Sequence, residues 1–233
     1  MLVYGRNVAE EYLKKNEKVK KIYLQDNFHD EKLISMIEKR KIQVILRRKN
    51  ELDQLVNAVH QGIILDVEDF SYCSLDSFYD NEDCFVVILD HLEDPHNFGA
   101  IIRTSEAAGV DGIIIPKDRG VVVNGTVIKT SVGASLNMPI AMVTNLNKTI
   151  EELKKNGFWI VGTDMENSVD YRDIDYSGKI ALVIGNEGDG MSRMVRESCD
   201  YIARIPMYGK INSLNASVAA GIMIYEVVRQ KKG

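Results

Sequence analysis

Short apolar runs at residues 85–89, 112–115, 139–143, 158–162, 180–184 and 201–205 recur through this chain, with helical patterns set between them. Runs of four or five residues without polar alternation predict strands buried on both faces, the mark of a parallel sheet. Residues 97–108, 145–155 and 191–198 carry the intervening helical patterns, and a last one spans about 215–230. The alternation predicts an α/β fold in which helices cover a mostly parallel sheet. Ligands in such sheets bind beyond the carboxyl ends of the strands, so function is expected just after Leu89, Gly162, Ile184 and Ile205.

A smaller α/β layer precedes this pattern. Residues 7–15 place Val8, Tyr12 and Leu13 on one helical stripe, with Asn7 able to cap it. Strands are expected at 19–24, 42–46 and 62–67, and helices at 30–40, where Leu33, Ile34 and Ile37 align, and at 50–59. Charge divides the chain in the same place. Residues 1–60 hold 13 Lys and Arg against 9 Asp and Glu, whereas the rest holds 16 against 25, within a net charge of −5. Residues 66–84 contain seven acids and no base, which suggests a linker. The expected domains are 1–67, a linker 68–83, and 84–233. A basic module beside an acidic one can dock a polyanion, but from charge alone a solvated surface face is the favoured reading.

Several classes are disfavoured. No run approaches the roughly 18 apolar residues of a membrane span, and the opening Met-Leu-Val-Tyr-Gly-Arg lacks the layout of a secretory signal. The expected location is the cytoplasm. Cys73, Cys84 and Cys199 form no Cys-x-x-Cys pair, so reduced, partly buried thiols are expected rather than disulfides or zinc ligands. Neither a Gly-x-Gly-x-x-Gly turn in the first strong βα unit nor a P-loop is present. His91 and His96, near Asp90, Glu93 and Asp94, lack helical metal spacing, and Pro95 interrupts a helix between them, so a polar loop without metal is expected. Ser105 and Ser213 have no arguable His and Asp partners for a hydrolase triad.

Three constellations carry the chemistry. In the first, residues 89–105, a strand ends in a loop closed by Pro95, Asn97 is placed to cap the next helix, and Arg103 lies inside that helix. A guanidinium there offers paired donors to a phosphate, with an ion pair to Glu106 as the plain alternative. In the second, Gly185, Gly188 and Gly190 let backbone approach a ligand, and Glu187 places a carboxylate at its edge. The plain alternative is a strand-to-helix turn with Glu187 in the first turn of the helix. In the third, residues 205–221, Ser213 and Asn215 flank Leu214, so two polar groups and an apolar one can face a ligand at the start of a tightly packing helix.

Together and in this order, the three constellations resemble the SpoU (TrmH) family of RNA 2′-O-ribose methyltransferases, within the SPOUT superfamily, over about residues 84–230. The Tyr4-Gly5-Arg6-Asn7 opening and the His60-Gln61-Gly62-Ile63 segment resemble the substrate-binding domain, related to ribosomal protein L30e, of the 23S rRNA guanosine-2′-O-methyltransferase branch called RlmB. The resemblance implies a SPOUT-type knotted catalytic domain with a mostly parallel sheet, preceded by a small L30e-like α/β domain. It implies S-adenosylmethionine as methyl donor, a carboxyl-terminal trefoil knot, and a homodimer whose sites draw on both subunits. Asn97, Arg103, Glu187, Ser213 and Asn215 match the family's catalytic positions, and Gly185, Ile205, Leu214, Met207 and Thr163 its cofactor contacts. Asn186 falls at a position that varies in the family.

On this resemblance the expected reaction is direct transfer of methyl to a ribose 2′-oxygen, accelerated largely by positioning. Removing a proton from arginine near neutral pH is costly, so Arg103 is expected to bind the neighbouring phosphate and steady the developing alkoxide. The expected partners are 23S rRNA, or a ribosomal assembly particle, and a second copy of the chain. The alternatives are a tRNA guanosine 2′-O-methyltransferase and a non-catalytic RNA-binding module that keeps the cofactor pocket.

Overall fold

The computed structural model describes every residue from Met1 to Gly233. The chain packs as two units, Met1–Ser71 with Val123–Leu136, and Tyr72–Val122 with Asn137–Gly233. In chain order the elements are β1 (Leu2–Tyr4), α1 (Arg6–Lys14), β2 (Val19–Gln25), α2 (Glu31–Lys39), β3 (Val44–Arg47), α3 (Lys49–Leu55), β4 (Ile63–Val67), β5 (Phe85–Leu89), α4 (Pro95–Ala108), and β6 (Gly112–Pro116). They continue with α5 (Gly125–Thr130), β7 (Ile140–Val143), α6 (Leu146–Lys155), β8 (Phe158–Thr163), β9 (Val169–Asp170), β10 (Lys179–Ile184), α7 (Arg193–Glu197), β11 (Tyr201–Arg204) and α8 (Ala216–Lys232).

In the amino-terminal unit the strands lie in the order β1-β4-β2-β3. β4 runs antiparallel to β1 and β2, and β3 pairs parallel to β2 at an edge. Ile63, Ile64, Leu65 and Val67 are buried because β4 is interior, and α1 buries the expected stripe of Val8, Tyr12 and Leu13 together with Ala9. Asn7 does not cap α1. The helix begins one residue earlier, with Gly5 at the N-cap at a positive φ of 101°. Asp30 caps α2 by accepting the Leu33 N–H at 3.1 Å.

Residues 123–136, which the sequence reading counts with the carboxyl-terminal domain, pack with the amino-terminal unit. Glycine makes that approach possible, since a Cβ on Gly125 would sit 2.4 Å from the Leu2 carbonyl oxygen. The Tyr4 hydroxyl meets Thr126 Oγ1 at 3.0 Å, and the Lys129 ammonium lies 5.2 Å from the centre of the Tyr4 ring. Part of the expected linker is likewise packed, in the second unit, where Phe78 is buried and the Cys73 N–H donates to the Ile140 carbonyl.

The second unit is a seven-stranded sheet in the order β7-β6-β5-β10-β8-β11-β9, with every pairing parallel. β5, β6 and β10 are buried throughout or nearly so, as continuous apolar runs predict. β8 and β11 depart from that expectation. Trp159 and Tyr201 are about half exposed, with ring centres 5.9 Å apart, because these strands lie toward the β9 edge, where the last strand is only two residues long. One core joins Val86, Ile88, Ile114, Ala181 and Val183 of the sheet to Leu146, Ile150 and Leu153 of α6. α8 packs on α4 and β10, burying Ala220, Met223, Ile224 and Val227. No helix is long and apolar enough to cross a membrane.

All strands being parallel, their carboxyl ends share one edge. β5, β6 and β7 build outward in one direction, and β10 then enters between β5 and β8. The segments after Leu89, Thr163, Ile184 and Arg204 therefore emerge side by side.

The three cysteines are free thiols, Cys84 buried and the other two half-buried. Burial, with Asp111 adding repulsion, pushes the Cys84 thiol up to about 12, and burial does the same for Cys199. Both are expected to resist a thiol reagent near pH 8 in the native protein and to react fully once unfolded in guanidinium chloride. Rapid native labelling of Cys84 would contradict the buried start of β5.

Candidate active site

The turn after β10 is built to keep side chains out. A Cβ on Gly185 would lie 2.3 Å from the carbonyl carbon of Gly190 and 2.5 Å from the Met191 nitrogen, so only glycine permits this close return of the chain. The Asn186 N–H donates to the Gly190 carbonyl at 2.9 Å, and Asn186 Oδ1 accepts the N–H groups of Gly188 and Asp189 at 2.7 and 2.8 Å. Gly190 supplies the left-handed residue, with φ +70°. Glu187 projects from this locked turn and precedes α7 by several residues, so it does not occupy a first helical turn. Asn186, passed over in the sequence reading, holds the turn closed. An Asn able to accept from the N–H groups two and three residues later is the signal that would have found it.

Asn97 is buried in the first turn of α4 and is not a cap. Asp94 fills that position, accepting the His96 N–H at 2.8 Å, and Pro95 opens the helix rather than breaking it. Freed from capping, Asn97 donates from Nδ2 to Glu187 Oε1 at 2.9 Å and accepts from Asn215 Nδ2 at 3.0 Å. Asn215 is the N-cap of α8. Its Oδ1 accepts from the N–H groups of Ser217 and Val218 at 2.9 and 3.3 Å and from the Ser217 hydroxyl at 2.6 Å. A polar chain thus runs from the start of α8, through the start of α4, to the carboxylate of the glycine turn. Both helix N-termini carry partial positive charge beside that carboxylate.

Glu187 lines a cleft of about 790 Å³ at the carboxyl ends of β8, β10 and β11. Thr163, Gly185, Ile205, Met207 and Leu214 line it too, as does Ser213. The Thr163 hydroxyl already donates to the Val183 carbonyl at 3.0 Å, so its proton is not available to a ligand. Asp164, Glu166, Arg193, Arg196 and Arg204, none singled out from sequence, bring charge to the same cleft. Arg196 is satisfied internally, within 3.4 Å of Asp164 and donating to the Glu166 carbonyl at 2.6 Å. Bare main chain, apolar side chains and one oriented carboxylate suit a flat heteroaromatic ligand with a polar, partly cationic tail.

Arg103 stands apart. It is exposed on α4, does not line the cleft, and has no acidic partner, since Glu106 accepts instead from Asn137 Nδ2 at 3.0 Å. The single chain therefore gathers Asn97, Glu187 and Asn215 by direct bonds and Ser213 by proximity to the cleft, but not Arg103.

Residues 84–225 match a family model described as the SpoU rRNA Methylase family, and residues 2–73 match one described as RNA 2′-O ribose methyltransferase substrate binding. A Bacillus subtilis protein, named for the TrmH family of tRNA/rRNA methyltransferases, is 44% identical over 237 residues, spanning 98% of this chain and 95% of its own. The SpoU methyltransferase AviRb from Streptomyces viridochromogenes, solved in complex with the cofactor AdoMet, is 27% identical with a TM-score of 0.84, over 99% of this chain and 90% of that one. An AdoMet-bound rRNA methyltransferase from Sinorhizobium meliloti is 28% identical with a TM-score of 0.82, over 100% and 88%.

The polar chain generates a stability test. Asn97→Ala is expected to cost about 1–2 kcal/mol in urea unfolding, and Asn215→Ala about 1 kcal/mol, mainly through its cap. Because the two share a bond, the double variant should lose less than the sum, by about 0.5 kcal/mol or more. Strict additivity would mean that the bond contributes nothing.

Proposed function

This chain belongs to the SpoU rRNA methylase family of RNA methyltransferases, and from that premise we propose that it methylates the ribose 2′-oxygen of a guanosine in 23S rRNA, as a member of the RlmB-like branch, with S-adenosylmethionine as donor. The observation that carries this reading is the hydrogen-bonded chain from Asn215 through Asn97 to Glu187 at the cleft wall. The cleft fits the donor in size, about 790 Å³, and in chemistry. Gly185 leaves main-chain groups bare for the adenine and ribose, while Ile205, Met207 and Leu214 offer apolar surface, with Thr163 at the margin. Bound there, S-adenosylmethionine supplies an electrophilic methyl group on its sulfonium.

The residues of the chain orient and stabilise. Asn97, itself held by Asn215, fixes one oxygen of Glu187, and Glu187 Oε2 keeps its lone pairs for the acceptor's hydroxyl or a nearby cation. Ser213 offers a further hydroxyl at the cleft. Arg103 binds the phosphate beside the target ribose and steadies the alkoxide as it develops, using the paired donors of a guanidinium. It does so in the site of a second copy. This part of the reading is supported by the exposure of Arg103 away from its own cleft, and by Tyr208, Ile211, Val218 and Tyr225, each at least half exposed. The carboxyl-terminal trefoil knot belongs to the same reading, its support being the entry of β10 between β5 and β8 and the return of the chain to set Asn215 against Asn97.

RNA recognition falls to the amino-terminal unit. Several of its cations are matched by acids, among them Lys14 with Glu10, Lys18 with Glu68 and Lys32 with Glu10. Lys39, Lys41, Arg48 and Lys49 are exposed without such partners and are free to meet phosphates. Ribosomal rather than transfer RNA is favoured by similarity over the whole length, substrate-binding unit included, to an enzyme described as an rRNA methyltransferase. The expected setting is the cytoplasm, on free rRNA or an assembling particle.

Transfer of tritium from labelled donor to 23S rRNA, with mass-spectrometric mapping of ribose methylation in cells lacking the protein, tests the reading. One guanosine should lose its methyl group. A missing site in tRNA would redirect the assignment, and no transfer at all would leave a binding module. Arg103→Lys should lower turnover at least about tenfold, and Gly185→Ala should weaken donor affinity measured by calorimetry by at least about tenfold. Replacing Arg48 and Lys49 by Gln should weaken RNA binding across sequences and reduce the salt slope by up to about 2.

A further inference from the structure

The turn that carries Glu187 is held from behind by one residue that never reaches the cleft. Asp90, the first residue after β5, is 1% exposed. Its main-chain N–H donates to the carbonyl of Ile184, immediately before the turn, at 2.8 Å. Its Oδ2 accepts the N–H of Ser192, immediately after the turn, at 2.6 Å. Oδ1 is engaged by His91 Nδ1 at 2.5 Å, the imidazole N–H donating in the tautomer that carries its proton on Nδ1. A buried carboxylate without an arginine or lysine partner is a costly feature, tolerable here because both oxygens are hydrogen-bonded.

Between those two anchor points the turn is internally rigid. Asn186 closes it, and Gly185 lies against Gly190 with no room for a side chain. A rigid turn fixed at both ends has its position set by whatever fixes the ends. Asp90 borders a second cleft, of about 620 Å³, on the far side of the same turn, and Asn186, Asp189, Gly190 and Arg193 line both clefts. It is therefore screened from the Glu187 side by the turn itself.

We propose that Asp90 is a positioning residue for methyl transfer, clamping the 185–191 turn so that Gly185 presents its main chain to the donor and Glu187 meets Asn97. The inference rests on the reading of the first cleft as the donor site. Asn97 constrains the Glu187 side chain, and Asp90 constrains the backbone that bears it.

The test uses the full chain with Asp90→Ala, Asp90→Asn and Ser192→Pro. In Asp90→Ala, amide exchange at Ser192 and through the turn should quicken at least about tenfold while β5 and β6 stay protected. Affinity for S-adenosylmethionine should fall at least about tenfold, and kcat should fall more than the KM for RNA changes. Asp90→Asn should stay within about threefold of the parent by each measure, because its Oδ1 can accept from Ser192 and its Nδ2 can donate to the other tautomer of His91. Ser192→Pro removes the N–H donor at a residue whose φ of −60° already suits proline, and should reproduce the alanine phenotype if that variant fails to fold. Unchanged turn exchange in Asp90→Ala or Ser192→Pro, or a folded Asp90→Asn as defective as the alanine variant, would overturn the clamp. A parent protein that binds no S-adenosylmethionine would instead sink the donor reading, while the exchange comparison still decides whether Asp90 holds the turn.

Discussion

The contact between Asn97 and Asn215, 118 residues apart, is the constraint on which the site depends. Its direction is not free. Asn215 Oδ1 is taken up by the N–H groups that open α8 and by the Ser217 hydroxyl, so only Nδ2 can face Asn97. Asn97 must then present Oδ1 to Asn215 and Nδ2 to Glu187. The polarity of every amide follows from the orphan donors of one helix, and each bond polarises the next toward the carboxylate. The same bond ties the start of α4 to the start of α8, two helices that also pack along their length.

The sheet makes this convergence possible. A parallel arrangement delivers every strand's carboxyl end to one edge, and the late entry of β10 between β5 and β8 puts the Gly185 turn near the middle of that edge. Chain segments far apart in sequence then meet without long loops. Asp90 after β5, Gly185 after β10, Thr163 at the end of β8 and Ile205 after β11 are examples. The scaffold beneath them is buried and close-packed, so these residues sit on short turns anchored at the ends of buried strands.

Much of this architecture was legible from sequence because fully buried strands advertise themselves as unbroken apolar runs, and β5, β6 and β10 are such strands. What depended on distant partners was not legible. Asp-Pro at residues 94 and 95 is a helix-start signature, yet reading Pro95 as a breaker shifts the cap to Asn97 and hides that residue's role as a buried bridge. Asp90 reads as one more polar loop residue, since its burial follows from a turn folded over it from 102 residues away. α5 is six residues long, too short for helical periodicity to declare itself, and its affiliation with the amino-terminal unit turns on the missing side chain of Gly125. Trp159 and Tyr201 mislead in the other direction, because an apolar run does not reveal that its strand lies near the tapering edge of a sheet.

Arg103 and the exposed apolar stretch of the carboxyl-terminal segment pose one question together. Arg103 lies six positions beyond Asn97, a rise of about 9 Å along α4, and the two occupy opposite environments, one buried and hydrogen-bonded, the other exposed without an acidic partner. A guanidinium so placed does not line its own cleft. Tyr208, Ile211, Val218 and Tyr225 meanwhile leave apolar surface uncovered along the segment that leads into and forms α8. On the proposed reading both have one resolution: a second copy covers the apolar surface and receives the arginine. The cost of leaving Tyr208 and Ile211 in water then falls away in the same step that completes the site.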